Sequence, residues 1–538
     1  MIRKRTVVAQ TCAVVLLAAR SAGVAQIPTG RPCDQDAFAR LALVGASVKS
    51  SAVVDAGTAV PGLPAASSEL PPFCRVRASA TPSAESLVNF EIWIPPAAVW
   101  NGKLVVTGNG GYSNAINYRD MANVLQQGYA AAGGDTGHQG ETPDDLLWGA
   151  GHPERIIDWG TRSIHAIVGP ARRIVAAHQA KAVGRTYFYG CSTGGHQGYA
   201  EIQRYPDDFD GVIAGAPGNN RVRLNVAFLF QYLANRRSRD DAAPILPAAK
   251  LPLVTRAVVD ACDANDGVRD GVVDDPRSCG FEPAALRCSG AERADCLTDD
   301  QIAALNRLYG GARNPRTGEQ VYPGWPKGSE AVTVTAAGAP SSGWHLYWGG
   351  AEPARASFWR HWVFGNPAWD WWRFDFDRDL LEADARVGRL IDQTDPDIAR
   401  FKRRGGKAIV YQGWQDPVVN ALDTIAYYER VRARQGSQAE TDRFFRLYLV
   451  PGMGHCSGGA GATVFGNQNA PAPVAGADYD LLRALDRWVE KGIAPDRIVA
   501  SRMVDGKVVR TRPLCPYPRK AVFTGKGSAD DEANFVCK

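Results

Sequence analysis

The chain has 538 residues, a formal net charge of +5 and a mean hydropathy of −0.23. That length exceeds one α/β core of ordinary size and predicts a second unit within the chain. So small a charge on so long a chain gives no argument for nucleic-acid binding, and suggests at most a weak attraction for acidic substrates.

The first residues, Met1-Ile2-Arg3-Lys4-Arg5, are basic; an apolar stretch over 7–19 follows, then Gly23-Val24-Ala25 before Gln26. This order predicts a secretory signal peptide over 1–25 and a secreted or periplasmic protein. The stretch is too short to span a bilayer, and no later run of ~20 apolar residues exists. Of 11 cysteines, loss of Cys12 with the leader leaves 11 − 1 = 10, an even number that suits an oxidising compartment.

Apolar runs over 104–107 and 129–132 read as buried strands, and 164–182 carries a helical pattern. A strand over 186–189 then leads into Gly190-Cys191-Ser192-Thr193-Gly194 and a small-residue helix start. Strand, G-x-S-x-G and helix in that order are the nucleophile elbow of an α/β hydrolase, with Ser192 exposed on a strained turn. Such a site needs two backbone N–H donors for the acyl oxyanion. Thr193, next after the serine, is one candidate; Gly110 or Gly111, in the loop after strand 104–107, is the other. No Lys-Ser/Thr follows Gly108-Asn109-Gly110-Gly111, so that loop is not a P-loop. His196, just past the elbow, is a second histidine within reach of such a site.

After a strand over 212–214 the composition changes. Residues 219–375 carry four cysteines, Gly/Pro-rich loops and many tryptophans, and read as a lid domain inserted between core halves 26–218 and 376–538. Within it, 262–274 packs Asp263, Asp266 and Asp270 among glycines. The carboxylates would repel one another unless a hard cation such as Ca²⁺ joins them, the bland reading being a solvated acidic turn. The EF-hand's terminal glutamate is missing. Most of the aromatics over 344–372 are expected in the lid's own core. A subset is expected to face the serine and stack on an aromatic acyl group, with Trp344 and Trp348 as candidates. Arg355 and Arg360 read as ordinary surface residues ahead of any role toward a substrate carboxylate.

The strand 407–411 ends in Gly413-Trp414-Gln415-Asp416-Pro417, and the strand 445–450 in Pro451-Gly452-Met453-Gly454-His455-Cys456. Asp416 and His455 therefore lie on loops past strand ends, in the chain order Ser, Asp, His of α/β hydrolases. A helical pattern over 479–491 closes the core. Cys191 precedes the serine and Cys456 follows the histidine. Since those side chains must touch, a Cys191–Cys456 disulfide is expected.

These motifs, with Tyr205-Pro206-Asp207-Asp208-Phe209-Asp210-Gly211 and Ala214-Gly215-Ala216-Pro217, resemble the tannase/feruloyl esterase family, which also includes a mono(2-hydroxyethyl) terephthalate hydrolase. The resemblance covers most of the mature chain. It implies an α/β-hydrolase core with a large inserted lid. It also implies a structural calcium held by the carboxylates of Asp263, Asp266 and Asp270 and the carbonyls of Val268 and Val272. Together with locality it implies the pairs Cys33–Cys74, Cys262–Cys279, Cys288–Cys296 and Cys515–Cys537; the spacing alone leaves connectivity open. Gln412 stands where several members carry histidine beside the bound ester, and is a candidate substrate contact.

The expected activity is hydrolysis of esters of aromatic carboxylic acids, feruloyl, galloyl or related phenolic esters, by Ser192, His455 and Asp416. A terephthalate monoester hydrolase of the same family is the alternative substrate reading. A calcium-stabilised binding protein without activity is the alternative class, opposed by a complete catalytic set; a long-chain lipase is opposed by the aromatic lid. The expected partner is a small aromatic ester, with no redox cofactor, no nucleic acid and no membrane contact once the leader is cleaved.

Overall fold

The computed structural model describes residues 33–538 apart from 61–62, 64–69, 141, 242 and 337–338. The expected signal peptide, 1–25, and Cys12 lie outside the described residues. No helix among the described residues is long and apolar enough to cross a membrane.

One sheet organises the chain. Its strands are β1 (Ala46–Val54), β2 (Phe73–Ala80), β3 (Val88–Ile94), β4 (Lys103–Thr107), β5 (Ala130–Gly134), β6 (Arg185–Cys191), β7 (Gly211–Gly215), β8 (Lys407–Gly413) and β9 (Phe445–Val450). They lie in the order β1-β2-β3-β5-β4-β6-β7-β8-β9. From β5 to β9 every pairing is parallel; β1, β2 and β3 extend the sheet antiparallel. The parallel strands match the apolar runs of the sequence because both faces are covered, which demands apolar side chains at successive positions. Leu104, Val106, Phe188, Val212 and Val410 face one core layer, and Val105, Tyr187, Ile213 and Tyr411 face the other.

Helices α2 (Ser163–Gln179), α3 (Thr193–Arg204) and α5 (Ala421–Gln435) pack on the first layer. Helices α1 (Tyr118–Gln126) and α6 (Leu481–Lys491) pack on the second, which continues without a break into the segment between β7 and β8. That segment opens with α4 (Arg221–Ala234) and holds short helices and two small hairpins. By residue 391 the chain is back against α3, where the Ile391 carbonyl accepts from His196 at 2.6 Å.

The antiparallel edge has no counterpart among the strands read from the sequence. β1 is an edge strand of alternating partial exposure, rich in serine and alanine, so its apolar signal is weak. The hairpin formed by Ile498–Val504 and Lys507–Leu514 likewise has no counterpart among the strands read from the sequence. All ten described cysteines pair as Cys33–Cys74, Cys191–Cys456, Cys262–Cys279, Cys288–Cys296 and Cys515–Cys537.

Candidate active site

The carboxyl ends of β4, β6, β8 and β9 converge, which is where open α/β sheets place their chemistry. β6 delivers Ser192 at φ 62° and ψ −118°, a conformation L-residues rarely adopt. The turn closes because its neighbours lack side chains: a Cβ on Gly195 would lie 2.1 Å from the Gly215 carbonyl oxygen, and one on Gly190 2.8 Å from Gly194 Cα. The Ser192 N–H donates to the Gly215 carbonyl at 3.0 Å, tying the elbow to β7.

β8 and β9 deliver the other two groups. The two loops are joined directly, since the Gln415 N–H donates to the Met453 carbonyl at 3.0 Å. His455 Nε2 lies 2.9 Å from Ser192 Oγ, and its Nδ1 lies 2.9 Å from Asp416 Oδ2. Asp416 is fully enclosed. Its other oxygen accepts from the Val418 and Val419 N–H groups at 2.7 and 3.0 Å. With the carboxylate so occupied, the imidazole Nδ1 holds the proton and Nε2 faces the serine hydroxyl as acceptor. The Cys191–Cys456 disulfide spans Cα atoms 5.9 Å apart and joins backbones 265 residues apart in sequence, one residue from Ser192 and one from His455.

Thr193 opens α3, so its N–H has no acceptor within the helix. Among the described residues the N–H groups of Gly110 and Gly111 also find no hydrogen-bond partner. The loop carrying them is fastened to α3: the Gly194 N–H donates to the Asn109 carbonyl at 2.6 Å, and the Asn109 N–H to Gln197 Oε1 at 3.0 Å. The Thr193 hydroxyl also donates to the Gly111 carbonyl at 2.7 Å, so the loops that carry these donors interlock next to the nucleophile helix.

Three expected substrate contacts are corrected. Gln412 has no exposed surface; its side-chain amide donates to Asp416 Oδ2 and to the Val419 carbonyl, each at 3.0 Å, and Thr424 donates to its oxygen. It lies behind the carboxylate because β8 points it, like Val410, to the face covered by α5, which carries Thr424. Trp344 and Trp348 are also wholly enclosed and pack edge to face, ring centroids 6.1 Å apart. They extend the second core layer into the inserted segment, where large aromatics fill the interior. His196, in α3 itself, is fully buried with its Nε2 held by the Ile391 carbonyl, and its ring makes no hydrogen bond to the Ser192 side chain. Of the two arginines, Arg360 pairs with Glu352, while Arg355 pairs with Asp144 and lies over the Tyr112 ring at 4.8 Å, beside the glycine loop.

The acidic loop is partly self-satisfied. Asp263 Oδ1 accepts from the N–H groups of Asp270, Gly271 and Val272 at 3.0–3.2 Å. Asp270 pairs with Arg512 at 2.5 Å and Arg510 at 3.1 Å. Among the described residues no three acidic, histidine or cysteine side chains converge closely enough to hold an ion. Asp266, Asp270, Asp274 and Val272 do border one cavity of about 20 Å³, together with Arg510 and Arg512; the oxygen donors suit calcium by type, while the two guanidiniums already pair with Asp270.

The family model described as tannase and feruloyl esterase matches residues 74–538. An uncharacterized esterase of Xanthomonas campestris pv. campestris is 38% identical over 521 residues, which cover 92% of this chain and 90% of that protein. A probable feruloyl esterase B-1 of Aspergillus flavus is 32% identical over 469 residues, 86% of each chain. The crystal structure of feruloyl esterase B from Aspergillus oryzae superposes with a TM-score of 0.85 at 28% identity, covering 94% of this chain and 100% of that one. Tannin acyl hydrolase from Aspergillus niger, at 19% identity and a TM-score of 0.72 over 94% of this chain and 95% of its own, shares the fold. The protein is a carboxylic ester hydrolase on an α/β-hydrolase core, and the chain belongs to the tannase and feruloyl esterase family.

Proposed function

We propose that this esterase hydrolyses feruloyl, galloyl or related phenolic esters with Ser192 as nucleophile. The observation that carries the reading is the continuous line from Ser192 Oγ through His455 to Asp416, with 2.9 Å at each step. Ser192 Oγ attacks the ester carbonyl while His455 Nε2 takes its proton, and Asp416 stabilises the imidazolium. The N–H of Thr193 and that of Gly110 or Gly111 bind the oxyanion. The imidazolium then returns the proton to the leaving alcohol, and water deacylates the serine by the same base. Relatives named feruloyl esterase support the aromatic acyl class. The inserted segment between β7 and β8 serves as lid over this site, and the leader directs the protein out of the cytoplasm, in keeping with five disulfides.

A structural Ca²⁺ is part of the same reading. Asp263, Asp266 and Asp270 would supply carboxylates, and Val268 and Val272 carbonyl oxygens. The ion would brace the loop and take no part in the chemistry.

The test is turnover of methyl ferulate, methyl gallate, chlorogenate and a terephthalate monoester, each with the parent and with Ser192→Ala. The phenolic esters should be the better substrates, and Ser192→Ala should lose at least about 1000-fold in kcat while staying folded. Undiminished hydrolysis by Ser192→Ala would sink the mechanism; a clear preference for the terephthalate monoester would replace the substrate class.

A further inference from the structure

Arg221, the first residue of α4, is 6% exposed and makes no ion pair with any described residue. A cation at a helix N-terminus opposes the helix dipole, and a buried one with no carboxylate in ion-pair contact is costly to keep; Asp392, which accepts from the Val222 N–H at 3.0 Å at the same helix end, acts on it only from beyond that distance. Burial pulls its guanidinium below the usual arginine range, and its Nε has no partner among the described residues. What the guanidinium does touch is the glycine loop's anchorage. Its Nη2 donates to Thr193 Oγ1 at 3.2 Å, and that hydroxyl donates onward to the Gly111 carbonyl at 2.7 Å. The Gly111 carbonyl also accepts from Trp159 Nε1 at 3.2 Å, and the Arg221 guanidinium lies over the Trp159 ring at 5.1 Å. The four residues close a ring across the two loops that carry the free N–H donors. Gly111 sits at φ 55°, in the left-handed region, and the two hydrogen bonds to its carbonyl fix the peptide that follows it and, through that, the loop.

We propose that Arg221 is a positioning residue for the oxyanion hole, acting through the Thr193 hydroxyl to hold the Gly111 loop against the nucleophile helix. The proposal rests on the reading of Thr193 and the glycine loop as oxyanion donors. A donor fixed before reaction pays no reorganisation when the acyl oxygen becomes negative, so the ring acts on kcat more than on KM. The charge of Arg221 also sits next to the hydroxyl that braces the hole, in surroundings from which water is largely excluded, where it favours a developing anion.

The experiment compares Thr193→Val, which keeps shape and removes the hydroxyl, with Thr193→Ser, which keeps it, alongside Arg221→Met and the double variant. Melting curves accompany steady-state kinetics on a phenolic ester. Thr193→Val should lower kcat on the order of 10- to 100-fold with KM within about threefold, because a donor is misplaced and not lost. Thr193→Ser should recover most of that rate. The double variant should be no slower than the slower single variant, since both cut the same ring. A folded Thr193→Val within about threefold of the parent in kcat, or losses that multiply in the double variant, would overturn the proposal. Should Arg221→Met fail to fold, Arg221→Lys, which keeps the charge but not the guanidinium's reach to Thr193, takes its place alone and in the double variant. Failure of the proposed Ser192 mechanism, on which the oxyanion reading depends, has a different signature, because Ser192→Ala would then still hydrolyse the ester.

Discussion

Gln412 and His455 converge on one atom: the Gln412 side-chain amide donates to Asp416 Oδ2 at 3.0 Å, and the His455 imidazole meets the same oxygen at 2.9 Å. The glutamine thus helps fix the carboxylate that orients the imidazole. Hydrogen bonds to charged groups contribute about 1.5–3 kcal/mol. Gln412→Leu should therefore lower kcat about tenfold or more with little change in KM, as steady-state kinetics would reveal. A raised KM at unchanged kcat would instead return Gln412 to the substrate pocket.

Removing the Cys191–Cys456 bridge should harm rate more than fold. It closes a loop of 265 residues, for which the chain-entropy model gives roughly 5 kcal/mol, often not reached in practice. Its local effect is on the two backbones beside Ser192 and His455, where misplacement by about 1 Å costs ~100-fold in rate. The double Cys→Ala variant should show a large kcat loss at a temperature where circular dichroism reports a native fold. Parent-like kcat in that variant would remove the bridge from the mechanism.

Calcium should appear as stability. If Ca²⁺ binds only the native loop, it adds about 2.7 kcal/mol at 100 times its Kd. Chelation should lower Tm, added Ca²⁺ should restore it, and Asp263→Asn with Asp266→Asn should abolish the response. A Tm indifferent to both additions would leave 262–274 as a loop held by its own amides and by Arg510 and Arg512.

Asp120 makes a prediction about pH. It is completely buried in α1, and burial pushes its carboxyl up to about 6, against the opposing hydrogen bonds from Asn469, Gln468 and Asn117. The folded value lies above the unfolded one, so between about 3.8 and 6 the native state holds a proton that the unfolded state has released. Its stabilising contribution is complete below that window and is lost as pH rises through it. Asp120→Asn should change the difference in unfolding free energy between pH 4 and pH 7 by on the order of 2–3 kcal/mol, read by urea denaturation. An unchanged difference would show that the carboxyl is not desolvated.

Local pattern alone identified the elbow at Ser192, the strand-end loops holding Asp416 and His455, and the parallel core of the sheet. Each of these is written in a short stretch: glycines where the backbone turns too tightly for a Cβ, and apolar runs where a strand is covered on both faces. The Cys191–Cys456 pair was legible for a related reason, since both cysteines adjoin residues that must meet. The antiparallel edge was not legible, because β1 is half exposed and β2 and β3, though mostly buried, carry Arg75, Arg77 and Glu91 among their apolar residues, so none of the three shows an unbroken apolar run. Nor were the roles of Gln412, Trp344, Trp348 and Arg221. A glutamine that braces a carboxylate, a tryptophan that fills a core and an arginine that ties two loops look the same in sequence as residues that touch a ligand. Arg221 reaches Thr193 and, through it, Gly111, both far along the chain, while Gln412 and the two tryptophans meet partners nearby in sequence, on faces that only the packing of the tertiary structure closes, so it was that packing that decided which way each side chain was used.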